Sequence, residues 1–97
     1  KNISLIEYAA FFGSIEIFKY LKSKGVKLNS NLWLFAIHSN NLEMIQILEE
    51  NNVDAPFSSY ELCFKESIKC YHNNIALYIK NKYLSNDAKE DLENSQF

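Results

Sequence analysis

Apolar residues recur at helical spacing in short blocks along this chain, and each block ends at a residue that suits a turn. In the first block, Ile6, Ala9 and Ala10 share one face of a helix. Gly13 ends this segment, since glycine readily adopts the left-handed backbone that terminates helices. A second apolar stripe follows and closes at Gly25. The pattern predicts two short helices joined by a tight turn.

Serine and proline residues mark where helices begin. Ser4 precedes the first helix and Ser14 the second, so each is a candidate N-cap whose hydroxyl accepts a backbone hydrogen bond. Further along, Pro56 predicts a loop. The segment Ser58-Ser59-Tyr60-Glu61 after it fits a capping box.

The first block returns 27 residues later in the chain. The aligned segments are residues 4–21 and 31–48. Gly13 corresponds to Asn40 and Gly25 to Asn52. Because glycine and asparagine accept a left-handed backbone most easily, the correspondence predicts the same turns in both copies.

A weaker third block follows 31 residues after the second. Cys63 takes the place of Leu32, and Phe64 that of Trp33. The turn position falls on Tyr71, which suits a left-handed backbone poorly. The turn therefore lies at Tyr71 or slides to residues 72–73.

Helices of eight to ten residues are marginally stable alone, so each needs a neighbour to cover its apolar face. We therefore expect a single all-α domain over residues 1–97, a solenoid of three stacked helix–turn–helix repeats with short loops. The repeats span about residues 3–29, 30–57 and 58–84. The polar tail, residues 85–97, is expected to form a capping helix or the first helix of another repeat.

The first block resembles an ankyrin repeat, whose pattern is T-P-L-H-x-A-A, a glycine turn, and x-E-V-V-K-x-L-L before a terminal G-A. The matching segments here are Ser4-Leu5-Ile6-Glu7-Tyr8-Ala9-Ala10, Gly13-Ser14-Ile15-Glu16-Ile17-Phe18-Lys19-Tyr20-Leu21 and Gly25-Val26. Leu5 and Glu7 replace the proline and histidine of the family. The two spacings are shorter than the usual ankyrin spacing of about 33 residues, so the projecting β-turns are expected to be short or absent. The divergent, Asn- and Lys-rich style is similar to ankyrin arrays of protists and some large viruses.

Composition narrows the classes of function. The 97 residues carry a formal net charge of -2, so the chain lacks the excess of positive charge that is typical of a nucleic-acid-binding domain. No apolar stretch is long enough for a membrane span. Two cysteines do not make a disulfide framework, so we expect a reducing, intracellular and cytoplasmic location. Lys1 stands where a start Met would be, so we expect neighbouring repeats in a longer protein.

The search for catalytic or metal-binding chemistry finds no recognisable motif. Cys63, Cys70, His38 and His72 include metal-binding types, but their spacing lacks the paired ligands of zinc sites. We interpret the cysteines as small core residues. No Ser or Cys nucleophile motif surrounds either histidine, and no glycine-rich phosphate loop is present. We therefore expect no enzyme activity, no cofactor and no metal.

Two adjacent aromatic residues on the first helix stand out as candidate partner-binding anchors. Phe11 and Phe12 follow the Ala9-Ala10 pair, and exposed adjacent aromatics are typical of binding surfaces. Alternatively, a preceding repeat covers them. Tyr8, Phe35 and His38 would extend the same surface, whereas Ile6, Trp33 and Phe64 are predicted to lie in the core.

The resemblance implies a non-catalytic scaffold that binds another protein through the concave face of its inner helices and the loops before them. The variable contact positions of the family map to Ile3, Phe11, Phe12, Lys24, Ser30, His38, Ser39, Asn51, Lys69, Cys70 and Lys82. Two alternatives stay open. The chain is a structural spacer within a longer array, or it sits beside a separate effector or adaptor domain.

Charge alternates at equivalent positions of the three blocks. Lys22, Glu49 and Lys80 would stack as a ladder across neighbouring outer helices. Exposed pairs of this kind contribute only about 0–1 kcal/mol each. We therefore expect the apolar stripes to set the register of stacking, with a small contribution from the ladder.

Overall fold

A computed structural model describes residues 3–84, which form six α-helices and contain no strand in that range. The helices are α1 (Leu5–Phe12), α2 (Ile15–Ser23), α3 (Leu32–Ser39), α4 (Leu42–Glu50), α5 (Tyr60–Lys69) and α6 (Asn73–Ile79). A 3-10 turn, Pro56–Ser58, precedes α5, and a π-helical turn, Lys80–Leu84, follows α6. The all-α prediction is confirmed for these residues, whereas the predicted helix within residues 85–97 lies outside them.

The six helices form three hairpins whose first helices lie side by side. Helix α1 packs on α2, α3 on α4, and α5 on α6, while α3 lies between α1 and α5. We call α1, α3 and α5 the inner layer, and α2, α4 and α6 the outer layer. Apolar side chains from both layers form one continuous core. Among the described helices, none combines the length and the apolar character that crossing a bilayer requires.

Short polar side chains begin several of the helices. Ser4 and Glu7 form a complete capping box on α1, since the Ser4 hydroxyl accepts from the Glu7 amide and the Glu7 carboxylate accepts from the Ser4 amide. Ser14 stands at the N-cap of α2 but its side chain makes no capping hydrogen bond. Ser59 caps α5 by accepting from the Leu62 amide at 3.1 Å. The predicted capping box with Glu61 does not form, because Glu61 lies one residue too early to face Ser59.

Left-handed residues close the inner helix of every hairpin at equivalent positions. The φ angles are +69° at Gly13, +54° at Asn40 and +61° at Tyr71. The backbone N–H of Tyr71 donates to the Ile68 carbonyl at 3.0 Å, and that of His72 donates to the Ser67 carbonyl at 2.9 Å. These two backbone hydrogen bonds together form a Schellman motif at the end of the helix. The third turn therefore lies at Tyr71, in register with the other two, and does not slide to residues 72–73.

Replacing Tyr71 with glycine is expected to raise the free energy of unfolding by about 1 kcal/mol. A left-handed backbone costs a residue with a Cβ atom roughly 1–2 kcal/mol, and the entropy of glycine in the unfolded chain offsets part of the gain. Tyr71 is 87% exposed, so little packing is lost. Urea denaturation measures the change.

The matched control for this substitution is Tyr20→Gly, at an exposed position inside α2 with ordinary helical geometry. Glycine there is expected to lower stability by about 1 kcal/mol, because it disfavours the helix interior. If both variants lose stability to the same extent, the left-handed strain at Tyr71 is absent.

The third hairpin buries residues that align with buried residues of the second hairpin. Its buried residues at these positions are Cys63, Ser67, Ile75 and Ile79, which correspond to Leu32, Ala36, Met44 and Leu48. Ser67 is the polar member, and its hydroxyl donates to the Phe64 carbonyl at 2.7 Å and lies 3.1 Å from the Cys63 carbonyl. Because the hydroxyl is satisfied within its own helix, it is accommodated in an apolar core.

An aromatic cluster joins the second and third hairpins. Trp33 is fully buried, and its indole N–H donates to the Val53 carbonyl at 2.6 Å. Its ring meets Tyr60 edge-on with centroids 5.5 Å apart, and Tyr60 stacks on Tyr83 at 3.8 Å. The predicted core positions of Ile6 and Trp33 are confirmed, whereas Phe64 is only partly buried.

Glu49 is the hub of a polar cluster between the same two hairpins. Its carboxylate accepts from the Tyr78 hydroxyl at 2.6 Å, from the Tyr83 hydroxyl, and from the Lys82 ammonium at 3.1 Å. Burial, together with the hydrogen bond to Glu49, raises the pKa of both tyrosines. The predicted charge ladder is therefore wrong about the partner of Glu49, because the π-helical turn brings Lys82 rather than Lys80 to this carboxylate.

Candidate interaction surface of the inner helices

The inner layer exposes a cluster of aromatic side chains around a shallow hollow. We call this cluster the aromatic patch; its members are Ile3, Tyr8, Phe11, Phe12 and Phe35. The hollow has a volume of about 180 Å³. Every lining residue is aromatic or aliphatic, so the hollow suits an apolar side chain.

Ring packing holds the aromatic patch in shape. Phe11 and Phe12 meet edge to face with centroids 4.9 Å apart, and Tyr8 stacks parallel to Phe12 at 6.2 Å. Edge-to-face and offset arrangements are the favoured geometries of aromatic pairs. The patch is therefore organised without a partner, which reduces the entropy lost on binding.

A polar cluster adjoins the aromatic patch through His38. The imidazole lies 5.9 Å from the Phe11 ring, its Nε2 is 3.0 Å from Glu66 Oε2, and its Nδ1 is 3.4 Å from Cys70 Sγ. The tautomer protonated at Nε2 satisfies both contacts, because Nε2–H then donates to Glu66 and Nδ1 accepts from the Cys70 thiol. We call these three residues the His38–Glu66–Cys70 cluster.

Two helices position this cluster. Glu66 lies on α5 and Cys70, four residues later, is the C-cap of this helix, so both lie on one face, and His38 is near the end of neighbouring α3. Burial raises the pKa of the Cys70 thiol, and the nearby Glu66 carboxylate adds to that rise. Lys69 pairs with the second oxygen of Glu66 at 3.7 Å. The thiol is therefore protonated at neutral pH unless another positive charge approaches it.

The predicted contact residues occupy several places rather than one. The aromatic patch and the adjoining polar cluster together contain or border Ile3, Phe11, Phe12, His38, Lys69 and Cys70. Ser30 and Asn51 line a separate groove between the loops that follow α2 and α4.

The remaining predicted contact residues have partners within the fold. Lys24 lies over the Tyr20 ring at 5.5 Å, and Lys82 binds Glu49. The Ser39 hydroxyl donates to the Ala36 carbonyl at 2.6 Å. The structure therefore gathers six of the predicted residues at the aromatic patch and the polar cluster beside it, and places the other five outside both.

Among the residues considered for metal binding, the structure separates one pair and unites another. Cys63 is buried in the core, and burial raises the pKa of its thiol to about 12. His72 occupies the N-cap of α6. His38 and Cys70 meet, and Glu66 joins them. Sequence reasoning missed Glu66, although its spacing of four residues from Cys70 was a usable signal.

The open side of the first hairpin exposes residues whose counterparts in the second hairpin are buried. Leu5, Ile17 and Tyr20 are 63%, 52% and 60% exposed. Their counterparts Leu32, Met44 and Ile47 are 0%, 0% and 6% exposed in the second hairpin, whose helix α3 packs against α1. The first hairpin therefore presents the same packing surface, uncovered.

Comparison with protein-family models, with curated proteins and with solved structures gives no match for this chain.

Proposed function

We propose that this chain is a non-catalytic interaction module that binds another protein through its inner helices, with the aromatic patch at the centre of contact. The observation that carries the proposal is the exposed hollow among Tyr8, Phe11, Phe12 and Phe35, whose lining residues are all aromatic or aliphatic. A contiguous exposed apolar patch on a folded chain is characteristic of a binding surface.

The chemistry of the surface describes the partner segment. The hollow, of about 180 Å³, fits one large aliphatic or aromatic side chain. Burying such a side chain supplies roughly 1.5–3 kcal/mol. The charged residues beside it, Glu66 and Lys69, would form the polar rim that typically surrounds an apolar centre. We therefore expect a partner segment with one apolar anchor flanked by polar groups.

We further infer that the hairpins form a divergent ankyrin-type solenoid. Support comes from the left-handed closures at Gly13, Asn40 and Tyr71, and from the contacts of α3 with both α1 and α5. The first two outer helices end in the same way, with φ of +92° at Gly25 and +60° at Asn52. The ankyrin-like sequence of the first block agrees with this arrangement.

A second candidate function is that of a structural unit in a longer stack. The observation that favours it is the uncovered packing surface of the first hairpin, which includes Ile17 and Tyr20. A preceding hairpin with the same pattern would bury these residues, whose counterparts Met44 and Ile47 are buried in the second hairpin.

Three matched substitutions by aspartate separate the two functions. Phe12→Asp alters the aromatic patch, Ile17→Asp alters the uncovered packing surface, and Leu77→Asp alters an exposed apolar residue of the outer helix α6. A partner identified by crosslinking to the complete gene product is titrated calorimetrically against each variant. Circular dichroism verifies that each variant is folded.

Phe12→Asp is expected to weaken partner binding by at least ~30-fold, the loss typical of a central contact residue, while Leu77→Asp leaves it unchanged. If Ile17→Asp alone weakens binding, the partner is a neighbouring hairpin and the spacer function is correct. If none of the three weakens it, the inner-helix proposal is wrong.

A further inference from the structure

The cluster of His38, Glu66 and Cys70 offers three different donor atoms at one point on the surface. The donors are an imidazole nitrogen, a carboxylate oxygen and a sulfur, and they lie within 4.8 Å of one another. These are the three side-chain donors that protein-bound zinc uses. Calcium and magnesium prefer oxygen ligands alone, so a site with one soft thiolate and one nitrogen does not suit them.

We propose that His38, Glu66 and Cys70 bind a zinc ion, with a water molecule in the fourth position. This proposal does not depend on protein binding by the aromatic patch.

The distances between the donor atoms are near those of a zinc site. Zinc lies about 2.0–2.3 Å from nitrogen, oxygen and sulfur ligands, so neighbouring ligand atoms of a tetrahedral site are about 3.3–3.6 Å apart. The Nε2 atom of His38 is 3.0 Å from Glu66 Oε2 and 3.9 Å from Cys70 Sγ. All three ligand atoms lie within 4.8 Å of one another, and Cys70 Sγ is 3.4 Å from Nδ1 and so lies beside the ring. Rotation of the Cys70 and His38 side chains would bring the three ligand atoms to the tetrahedral values.

The backbone holds the ligands in place before the ion arrives. Glu66 and Cys70 project from the same face of α5, and α3, which carries His38, packs directly against α5. Lys69 lies 3.7 Å from the Glu66 oxygen that faces away from His38, and so orients the carboxylate. Partners of this kind typically raise metal affinity by fixing the ligand. The ring of Phe11 lies 5.9 Å from the imidazole, so the aromatic patch borders the site.

The proton balance of binding is simple. The Cys70 thiol releases its proton to solvent and binds as thiolate, since only the thiolate is a good ligand. The imidazole stays neutral overall, with its proton on Nδ1 when Nε2 binds the ion. Glu66 binds through a carboxylate oxygen. Zinc thereby takes the place of the hydrogen bonds that join the three residues.

Cobalt(II) is the probe, because it replaces zinc and absorbs light when bound by a thiolate. The chain, without a histidine tag and with a phosphine reductant, is titrated with Co²⁺ and then with Zn²⁺. We expect a thiolate-to-cobalt charge-transfer band that saturates at one ion per chain and is bleached by zinc. Sedimentation of the loaded sample should show that no second chain shares the ion.

Matched variants assign the ligands. Cys70→Ala is expected to abolish the band and to weaken cobalt binding at least ~100-fold, while Cys63→Ala, which removes the other thiol, retains both. His38→Ala is compared with His72→Ala, and Glu66→Gln with Glu61→Gln. The first member of each pair should weaken binding at least ~10-fold, and the second should not.

Thermal unfolding gives an independent readout that uses zinc itself. At a free zinc concentration 100 times the dissociation constant, the unfolding temperature of the chain should rise by ~11–22 °C, and that of Cys70→Ala should not. The proposal is overturned if no band forms, if Cys70→Ala keeps it, if Cys63→Ala loses it, or if two chains share one ion.

Discussion

Replacing Trp33 with alanine is expected to lower the free energy of unfolding by about 3–5 kcal/mol, the largest effect of any single truncation in this fold. The side chain is fully buried, so its removal leaves a cavity between the second and third hairpins. The Val53 carbonyl also loses the indole N–H that donates to it at 2.6 Å. Tyr60 and Tyr83 lose the ring against which both pack.

Urea denaturation followed by circular dichroism measures this loss. The control is Phe57→Ala, which truncates an aromatic side chain that is almost fully exposed, and its effect should stay within about 0.5 kcal/mol. A domain of this size has only a small reserve of stability, so Trp33→Ala is expected to be partly unfolded without denaturant. An effect as small as that of Phe57→Ala would show that the two hairpins do not depend on the indole ring.

Replacing Glu49 with glutamine is expected to cost about 2 kcal/mol, because hydrogen bonds to a charged acceptor are each worth roughly 1.5–3 kcal/mol and an amide replaces only part of them. The carboxylate accepts from Tyr78, Tyr83 and Lys82 together. An amide has one acceptor oxygen, and its NH₂ group opposes the remaining donors.

The neighbouring Glu50→Gln provides a close control. Glu50 carries the same charge on the same helix but is exposed, so its substitution should change stability by less than about 0.5 kcal/mol. Equal losses for the two variants would mean that net charge, rather than the hydrogen bonds of Glu49, determines the effect.

The pH dependence of the Glu49 cluster provides a second measurement. Burial and the hydrogen bond to Glu49 raise the folded-state pKa of Tyr78 and Tyr83 above the ordinary value of about 10. A raised pKa adds stability that is complete below the unfolded-state pKa and is lost as pH rises through the folded-state pKa. Stability of the native chain should therefore fall above about pH 10. Glu49→Gln should flatten this fall and lower the pKa of both tyrosines in an absorbance titration.

The helices and two of the three inner turns follow from local rules. Gly13 and Asn40 favour the left-handed backbone by themselves, and the apolar spacing around them determines which faces are buried. The third turn does not follow from such rules, since tyrosine disfavours the conformation that Tyr71 adopts. Its strain is tolerated because Ile75 and Ile79 reach the core only if the turn keeps its place.

The contacts of the candidate site were harder to predict than the helices that carry it. Phe11 and Phe12 are exposed, as expected from their place after the Ala9-Ala10 pair on the first helix. The meeting of His38 with Glu66 and Cys70 depends on how two inner helices lie against each other. A single sequence contains the spacing within each helix but not the distance between them.

The link between the second and third hairpins has a consequence for how this chain tolerates changes in length. Ala55 and Pro56 anchor the link in the core, while Phe57 and Ser58 bulge outward with φ of +56° and +55°. The four residues by which the second spacing exceeds the first are absorbed around this bulge, and the helices on either side keep their positions. Insertions or deletions in evolution should therefore accumulate at this junction, where chain length can vary without disturbing the stack.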